Sequence, residues 1–309
     1  MATSTIDPDL VISHKFPETT FSYDERDVAI YALGIGACGR DAVDEKELKF
    51  VYHKDGQPLI EVLPTFAALF PFQKSKGLGL ADVPGLQFNP KLLLHGQQYI
   101  EIYKPFPSSG NIRNKVTIAG LHDKGKATLV ELETTSYIEH SGEPLCMNRS
   151  TVYLRGAGGF SNSSKPYSYA NYPANQVSNV KIPNCKPSLV YEDCTQHSQA
   201  LLYRLSGDYN PLHSDPIIAQ VAGFTRPILH GLCSLGFAVR AIIRTCCNGE
   251  SAAVKSIFGR FLLHVYPGET LATEMWVEGP KVIYQTKVTE RNRAVLSGYV
   301  LLKHIPSSF

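Results

Sequence analysis

The chain is 309 residues long and 43% hydrophobic, which excludes a disordered or fibrous polymer and allows one large domain or two of ordinary size. Its 30 basic and 28 acidic residues are interspersed and leave a net charge of +2, so no general attraction to nucleic acid follows. Residues 1–20 hold Asp7, Asp9 and Glu18 and lack the apolar stretch of a secretory signal. No run of about eighteen apolar residues occurs, so no membrane span is expected.

In chain order, residues 1–20 read as a loosely ordered lead-in. Tyr23-Asp24-Glu25-Arg26-Asp27-Val28 then opens a helix with acidic residues at its positive end, and Gly34-Ile35-Gly36 stops it. Between Phe50 and Val62 the pattern predicts strand, turn and strand, with Asp55-Gly56 as the hairpin signal. Pro64 to Phe72 is apolar with little periodicity. Strands are predicted over 92–103, 114–123, 127–136 and 148–154. Composition then shifts over 156–187, where Gly156-Ala157-Gly158-Gly159 and Pro166, Pro173, Pro183 and Pro187 mark a linker. Tyr167, Tyr169 and Tyr172 can anchor it to the surface.

The second half opens with a helical run over 195–203, for which Thr195 or Asp193 is the candidate cap. Residues 230–246 form a long apolar helix, with Leu232, Leu235, Phe237, Ala238, Ala241 and Ile242 on a wide face. Gly231 and Gly236 allow close packing. Strands follow over 256–263, 271–278, 282–290 and 294–302; in the second, Leu271, Thr273, Met275 and Val277 alternate with Ala272, Glu274, Trp276 and Glu278 at a period of two. The seven cysteines (Cys38, Cys146, Cys185, Cys194, Cys233, Cys246 and Cys247) are odd in number and contain no CxxC pair. They read as reduced thiols, each a small core hydrophobe.

The halves repeat each other weakly. Tyr31-Ala32-Leu33-Gly34-Ile35-Gly36 lines up with Tyr203-Arg204-Leu205-Ser206-Gly207-Asp208, and Leu93 through Ile102 with Leu262 through Glu274. Gly36 thus stands where Asp208 stands, and nothing like Asn-Pro-Leu-His follows it. The first unit is expected to keep the fold and lose the chemistry.

The chemistry concentrates in Gly207-Asp208-Tyr209-Asn210-Pro211-Leu212-His213-Ser214-Asp215-Pro216, followed by Arg226-Pro227-Ile228-Leu229-His230-Gly231. An Asp and a His on either side of an Asn-Pro turn can point into one cleft and divide acid and base work. The plainer reading is that Asp208 and Asn210 are turn residues bonding their own backbone. Asp215 before Pro216 reads as a helix cap. Gly231 opens the long helix, where its N–H lacks an intrahelical partner and meets the positive end of the dipole. His230 reads as a structural residue at that helix start. The nearest approach to metal spacing is His213-Ser214-Asp215 with His230; no Cys or Glu completes it, so no metal is expected. There is no GxSxG or P-loop, and the glycines from Gly34 follow a helix rather than a strand, so they do not read as a dinucleotide-binding turn.

That ordered, gap-free run resembles the signature of the MaoC-like, R-specific 2-enoyl-CoA hydratases of the hot-dog fold, and the resemblance covers most of the chain. It is nearest to the eukaryotic type 2 group of peroxisomes, in which two hot-dog units are fused and only the second keeps the motif. The resemblance implies an α+β protein of two tandem hot-dog units, each a curved antiparallel sheet around a central helix. The units would be 1–155, without the motif, and 188–309, with it, joined by 156–187. It implies an acyl-CoA thioester substrate, no cofactor, a homodimer, and interconversion of trans-2-enoyl-CoA with (3R)-3-hydroxyacyl-CoA in peroxisomal β-oxidation. It assigns Asp208 and His213 as the acid–base dyad, Asn210 as a group holding the water or His213, and the Gly231 N–H as oxyanion donor. Substrate-binding positions would be His95, Gly96, Lys124, Tyr209, Pro211, Leu212 and Phe261. A thioesterase on the same fold and a non-catalytic acyl-CoA-binding protein are the alternatives. Ser307-Ser308-Phe309 matches a peroxisomal tripeptide in its first two positions only.

Overall fold

The computed structural model describes residues 6–72, 78–174 and 180–304. Its elements run as α1 (Pro8–Ser13), β1 (Thr19–Tyr23), α2 (Glu25–Gly34), α3 (Glu45–Leu48), β2 (Leu93–Ile102), β3 (Gly110–Asp123), β4 (Ala127–Ile138), β5 (Pro144–Arg155) and β6 (Ser168–Ala170). The second half adds β7 (Leu189–Cys194), α4 (Gln199–Tyr203), α5 (Pro216–Val221), α6 (Gly231–Cys246), β8 (Val254–Phe261), β9 (Thr270–Glu278), β10 (Lys281–Val288) and β11 (Arg293–Leu302).

The strands form one antiparallel sheet of 11 strands in the order β1-β3-β4-β5-β2-β8-β11-β10-β9-β7, with β6 alongside β3. The order is a palindrome about the β2–β8 seam, where Gln97 pairs with Arg260, Tyr99 with Phe258 and Glu101 with Ser256. Each half therefore supplies five strands in matching places, and the α+β architecture expected from the resemblance is present. The duplication is real, but one alignment inferred from sequence is wrong. β2 corresponds to β8, so Leu93–Ile102 matches 254–261 and not the stretch from Leu262 to Glu274, which runs through a loop into β9. Matching apolar letters misled because a strand and its flanking loop carry similar leucines.

The helix α6 fills the concave side of the second unit. His230 is its N-cap, nearly every residue is buried, and even Arg240 lies within the core. A side chain at Gly236 would overlap Ile35, and one at Gly36 would overlap the Phe237 ring, so α6 meets the first half through glycine on both sides. In the first half the central place belongs to a short 3-10 segment, Pro64–Leu69, with every residue buried. The hairpin expected near Asp55-Gly56 is absent: those residues lie between α3 and a 3-10 turn at Gln57–Leu59, and Gly56 instead precedes that turn at φ +128°. The lead-in is also more structured than expected. Asp7 caps α1 by accepting from the Asp9 and Leu10 N–H groups, and Val11 is fully buried.

α2 starts as expected, with a reciprocal capping box between Asp24 and Asp27. Neither candidate cap before α4 serves: Asp193 is in β7 and pairs with Arg240, Thr195 bonds Glu269, and the N-cap is Ser198 without a side-chain bond. The linker is strapped down. β6 pairs with β3, the Tyr172 hydroxyl donates to Glu131, and the Arg149 guanidinium stacks on the Tyr172 ring at 3.9 Å. All seven cysteines are free, but Cys185 and Cys194 are exposed and Cys38 is half-buried, so the core reading fails for those three.

Candidate active site

The motif loop is built from its own turn chemistry. Gly207 sits at φ +122°, a conformation that other residues resist, and ends the 3-10 turn after α4. The Asp208 carboxylate accepts from the Asn210 N–H at 3.2 Å, and the Asn210 side-chain oxygen accepts from the Leu212 N–H at 3.0 Å. With Pro211 at its first position, Pro211–His213 then forms a 3-10 turn that sets His213 in the interior. Asp215 caps α5 through the Ile217 and Ile218 N–H groups, as its place before Pro216 predicts. Asn210 is therefore occupied in shaping the turn, and it reaches His213 through its backbone carbonyl, which accepts the His213 N–H at 3.2 Å.

The His213 Nδ1 lies 2.8 Å from the Ile228 carbonyl, an acceptor, so Nδ1 carries the proton and Nε2 keeps its lone pair when the ring is neutral. Burial pushes the His213 pKa down, and the Asp208 carboxylate beside it pulls part of the way back. A neutral imidazole next to a carboxylate is the state a general base requires. Donor atoms of Asp208, His213 and His230 all lie within 4.8 Å of one another. The sequence brought His213 and His230 together as possible ligands but with Asp215, which is spent on its cap. The two imidazoles stack at 3.7 Å between centroids with 28° between planes. Ring lone pairs lie in the ring planes, so an ion between two stacked rings would sit out of both, a poor geometry for a shared metal.

A cavity of about 1060 Å³ opens on this cluster. Asp208, Tyr209, Asn210, Leu212, His213 and Gly231 line it, joined by His95, Gly96 and Phe261. Phe261 closes the end of β8 against the start of α6: a Cβ at Gly231 would lie 3.2 Å from its ring. His95 meets the Phe261 ring edge-on at 5.1 Å and lies next to a β-bulge, where β2 slips register against β5. A side chain at Gly96, inside the bulge, would overlap the Tyr153 ring. Burial holds the His95 pKa down at about 4. Two expected binding positions are not brought to the cavity. Lys124 is exposed in the β3–β4 turn, where its N–H bonds the Ala127 carbonyl, and Pro211 is exposed on the outside of its turn. Lys91 and Arg155, which the sequence did not single out, do line the cavity. Nothing in their local sequence marks them, because they come from a 3-10 turn and a strand end brought together only by the sheet.

This is a double hot-dog protein with an Asp–His pair at the mouth of its second central helix. Residues 21–156 match the MFE-2 hydratase 2 N-terminal domain and residues 178–298 match the MaoC like domain. The chain is 66% identical to the peroxisomal enoyl-CoA hydratase 2 of Arabidopsis thaliana over 100% of both chains. It is 43% identical to the peroxisomal multifunctional enzyme type 2 of Mus musculus, over 96% of this chain but only 38% of the mouse protein. Among solved structures, a MaoC-like dehydratase from Phytophthora capsici superposes with a TM-score of 0.83 at 35% identity, covering 97% of this chain and 99% of that one. The chain belongs to the MaoC-like hydratase 2 family.

Proposed function

We propose that the protein is an R-specific hydratase that interconverts trans-2-enoyl-CoA and (3R)-3-hydroxyacyl-CoA in peroxisomal β-oxidation. The observation that carries this reading is the meeting of Asp208 and His213 over one cavity, beside the unpartnered amide of Gly231. Water bound between the two side chains gives a proton to the dyad as its oxygen attacks C3, and the dyad returns a proton to C2 from the same face. One proton leaves the water and one reaches carbon, so no further reactant is required. Acid–base assistance of this kind supplies roughly 10²–10⁴-fold. The Gly231 N–H, at the positive end of α6, stabilises the charge that develops on the thioester oxygen.

The first unit lacks the motif but still lines the cavity, through Phe72, Leu80, Phe88, Leu93 and Val152. We infer that this apolar wall holds the acyl tail; a long-chain acyl-CoA complex with no first-unit residue near the tail would remove the idea. Lys91, Arg155 and Arg260 line the cavity and Lys124 does not, which supports the first three as the cations that would meet CoA phosphates. We infer a homodimer and peroxisomal import, checked by sedimentation and by imaging a tagged chain with and without its last three residues. Ser307-Ser308-Phe309 lies outside the described residues. The deciding assay follows loss of enoyl-thioester absorbance on crotonyl- and decenoyl-CoA, with chiral analysis of the product. Formation of the 3R alcohol is expected; release of free CoA thiol without hydration would favour a thioesterase.

A further inference from the structure

The acid–base scheme leaves one buried titratable side chain without a task. His230 is only 1% exposed, yet it touches four parts of the site. Its Nε2 lies 3.1 Å from the Asp208 backbone carbonyl, an acceptor, so Nε2–H donates and fastens the strand of loop that presents the Asp208 carboxylate. Its ring stacks on His213 at 3.7 Å and lies against the Tyr203 ring at 4.8 Å. Its backbone is the N-cap of α6, immediately before the Gly231 amide. Its Nδ1 has no hydrogen-bond partner.

We propose that His230 is a positioning residue: its N–H sets the Asp208 loop against α6, and its ring shields the face of His213 so that the base stays neutral and correctly aimed. The proposal rests on the hydratase reading for its kinetic consequence, but its effect on His213 can be read without turnover. One contact at the edge of a planar ring and one on its face fix two catalytic groups relative to each other, which an aliphatic cap could not do. Misplacement of reacting groups by about 1 Å costs on the order of a hundredfold in rate, so such a fastening is worth having. Burial, together with His213 and Arg204 nearby, holds the His230 pKa well below the ordinary histidine value. It therefore stays uncharged beneath His213 and can accept, without repelling, the charge His213 gains on taking a proton. The other groups beside the pair are the Asp208 carboxylate on the loop, the Tyr203 ring at the end of α4 and the neighbouring Arg204; Cys233 of α6 lies near Tyr203, and His95 from β2 senses Asp208.

Two variants separate the two contacts. His230→Gln keeps an N–H donor near the Nε2 position and loses the stacked ring; His230→Phe keeps a ring and loses the donor. In the full-length protein, the His213 ring should be titrated by NMR with labelled histidine, and kcat and KM measured against pH on an enoyl-CoA. In His230→Gln, water reaches His213, so its titration and the acid limb of kcat should both move up toward the ordinary value of about 6.5. In His230→Phe the titration should stay near that of the parent while kcat at the plateau falls about ten- to a hundredfold with KM little changed. A His213 titration unmoved by His230→Gln, or a plateau kcat in His230→Phe within about twofold of the parent, overturns the proposal. If the parent protein does not hydrate enoyl-CoA, the functional reading fails instead, and the titration alone still decides whether His230 shields His213.

Discussion

Replacing Arg240 by Met tests how the two halves are held together. Arg240 lies in α6 with 2% exposure, and its guanidinium meets Glu47 of the first half and Asp193 of β7, themselves 4% and 6% exposed. Its Nε also donates to the Ile35 carbonyl at 2.9 Å, just past the end of α2. Glu47 keeps two further partners, the Cys38 N–H at 2.8 Å and Arg244 at 3.7 Å, whereas among the described residues the Asp193 carboxylate has Arg240 alone. The Met variant fits the volume but leaves two buried carboxylates facing each other without their cation. Breaking a buried ion pair from one side costs about 3–5 kcal/mol. At roughly 2–4 °C per kcal/mol for a chain of this order, the Tm should drop by roughly 6–20 °C. Urea unfolding followed by circular dichroism measures the loss. The triple variant Glu47→Gln, Asp193→Asn, Arg240→Met buries no ion and should recover part of it. A loss below about 1 kcal/mol in the single variant would refute the claim that this triad ties the first half to α6.

Three further outcomes follow from the geometry. Burial lowers the pKa of His95 to about 4 and depresses those of His213 and His230, so below the ordinary value of 6.5 the native state binds fewer protons than the unfolded chain. Stability should therefore be level above about 6.5 and fall as pH drops from there toward about 4, measured by Tm across that range. Gly231→Ala places a methyl 3.2 Å from the Phe261 ring, so the ring must give by a few tenths of an ångström next to the oxyanion amide. About a tenfold fall in kcat with an unchanged Tm is expected from steady-state kinetics and a melting curve. Tyr172→Phe keeps the ring under Arg149 but removes the donor to Glu131, which retains its bond to His122 at 3.1 Å. It should cost about 1 kcal/mol and speed limited proteolysis of the strap around β6.

The motif loop, the long helix and most strands were legible because each is written locally. Asn210 next to Pro211, Asp215 next to Pro216 and the period of two in β9 act within a few residues of themselves. What was hidden depends on partners far away in the chain. Residues 50–62 carry a good turn pair, yet no partner strand lies beside them, and Glu47 and Lys49 nearby are recruited by α6 and by Glu61 and Glu250 instead. Arg240 looks like a solvated residue on an apolar helix until the first half folds over it. The resemblance points to Lys124, but a turn lysine's reach is set by the sheet beneath it, and this one does not line the cavity. The local sequence marks His230 as a helix-start residue, which its backbone is; its ring contacts with His213 and Tyr203 are tertiary and leave no local mark.

Hydration by this site depends on the Asp208 carboxylate, and the direct test is the hydration rate of Asp208→Asn on a trans-2-enoyl-CoA. Asn can still accept the Asn210 N–H and so preserve the turn, but it cannot take a proton from water. With circular dichroism and Tm matching the parent, kcat is predicted to fall by roughly 10²–10⁴-fold with little change in KM. Turnover within a few-fold of the parent would contradict the assignment of Asp208 and His213 as the groups that add water.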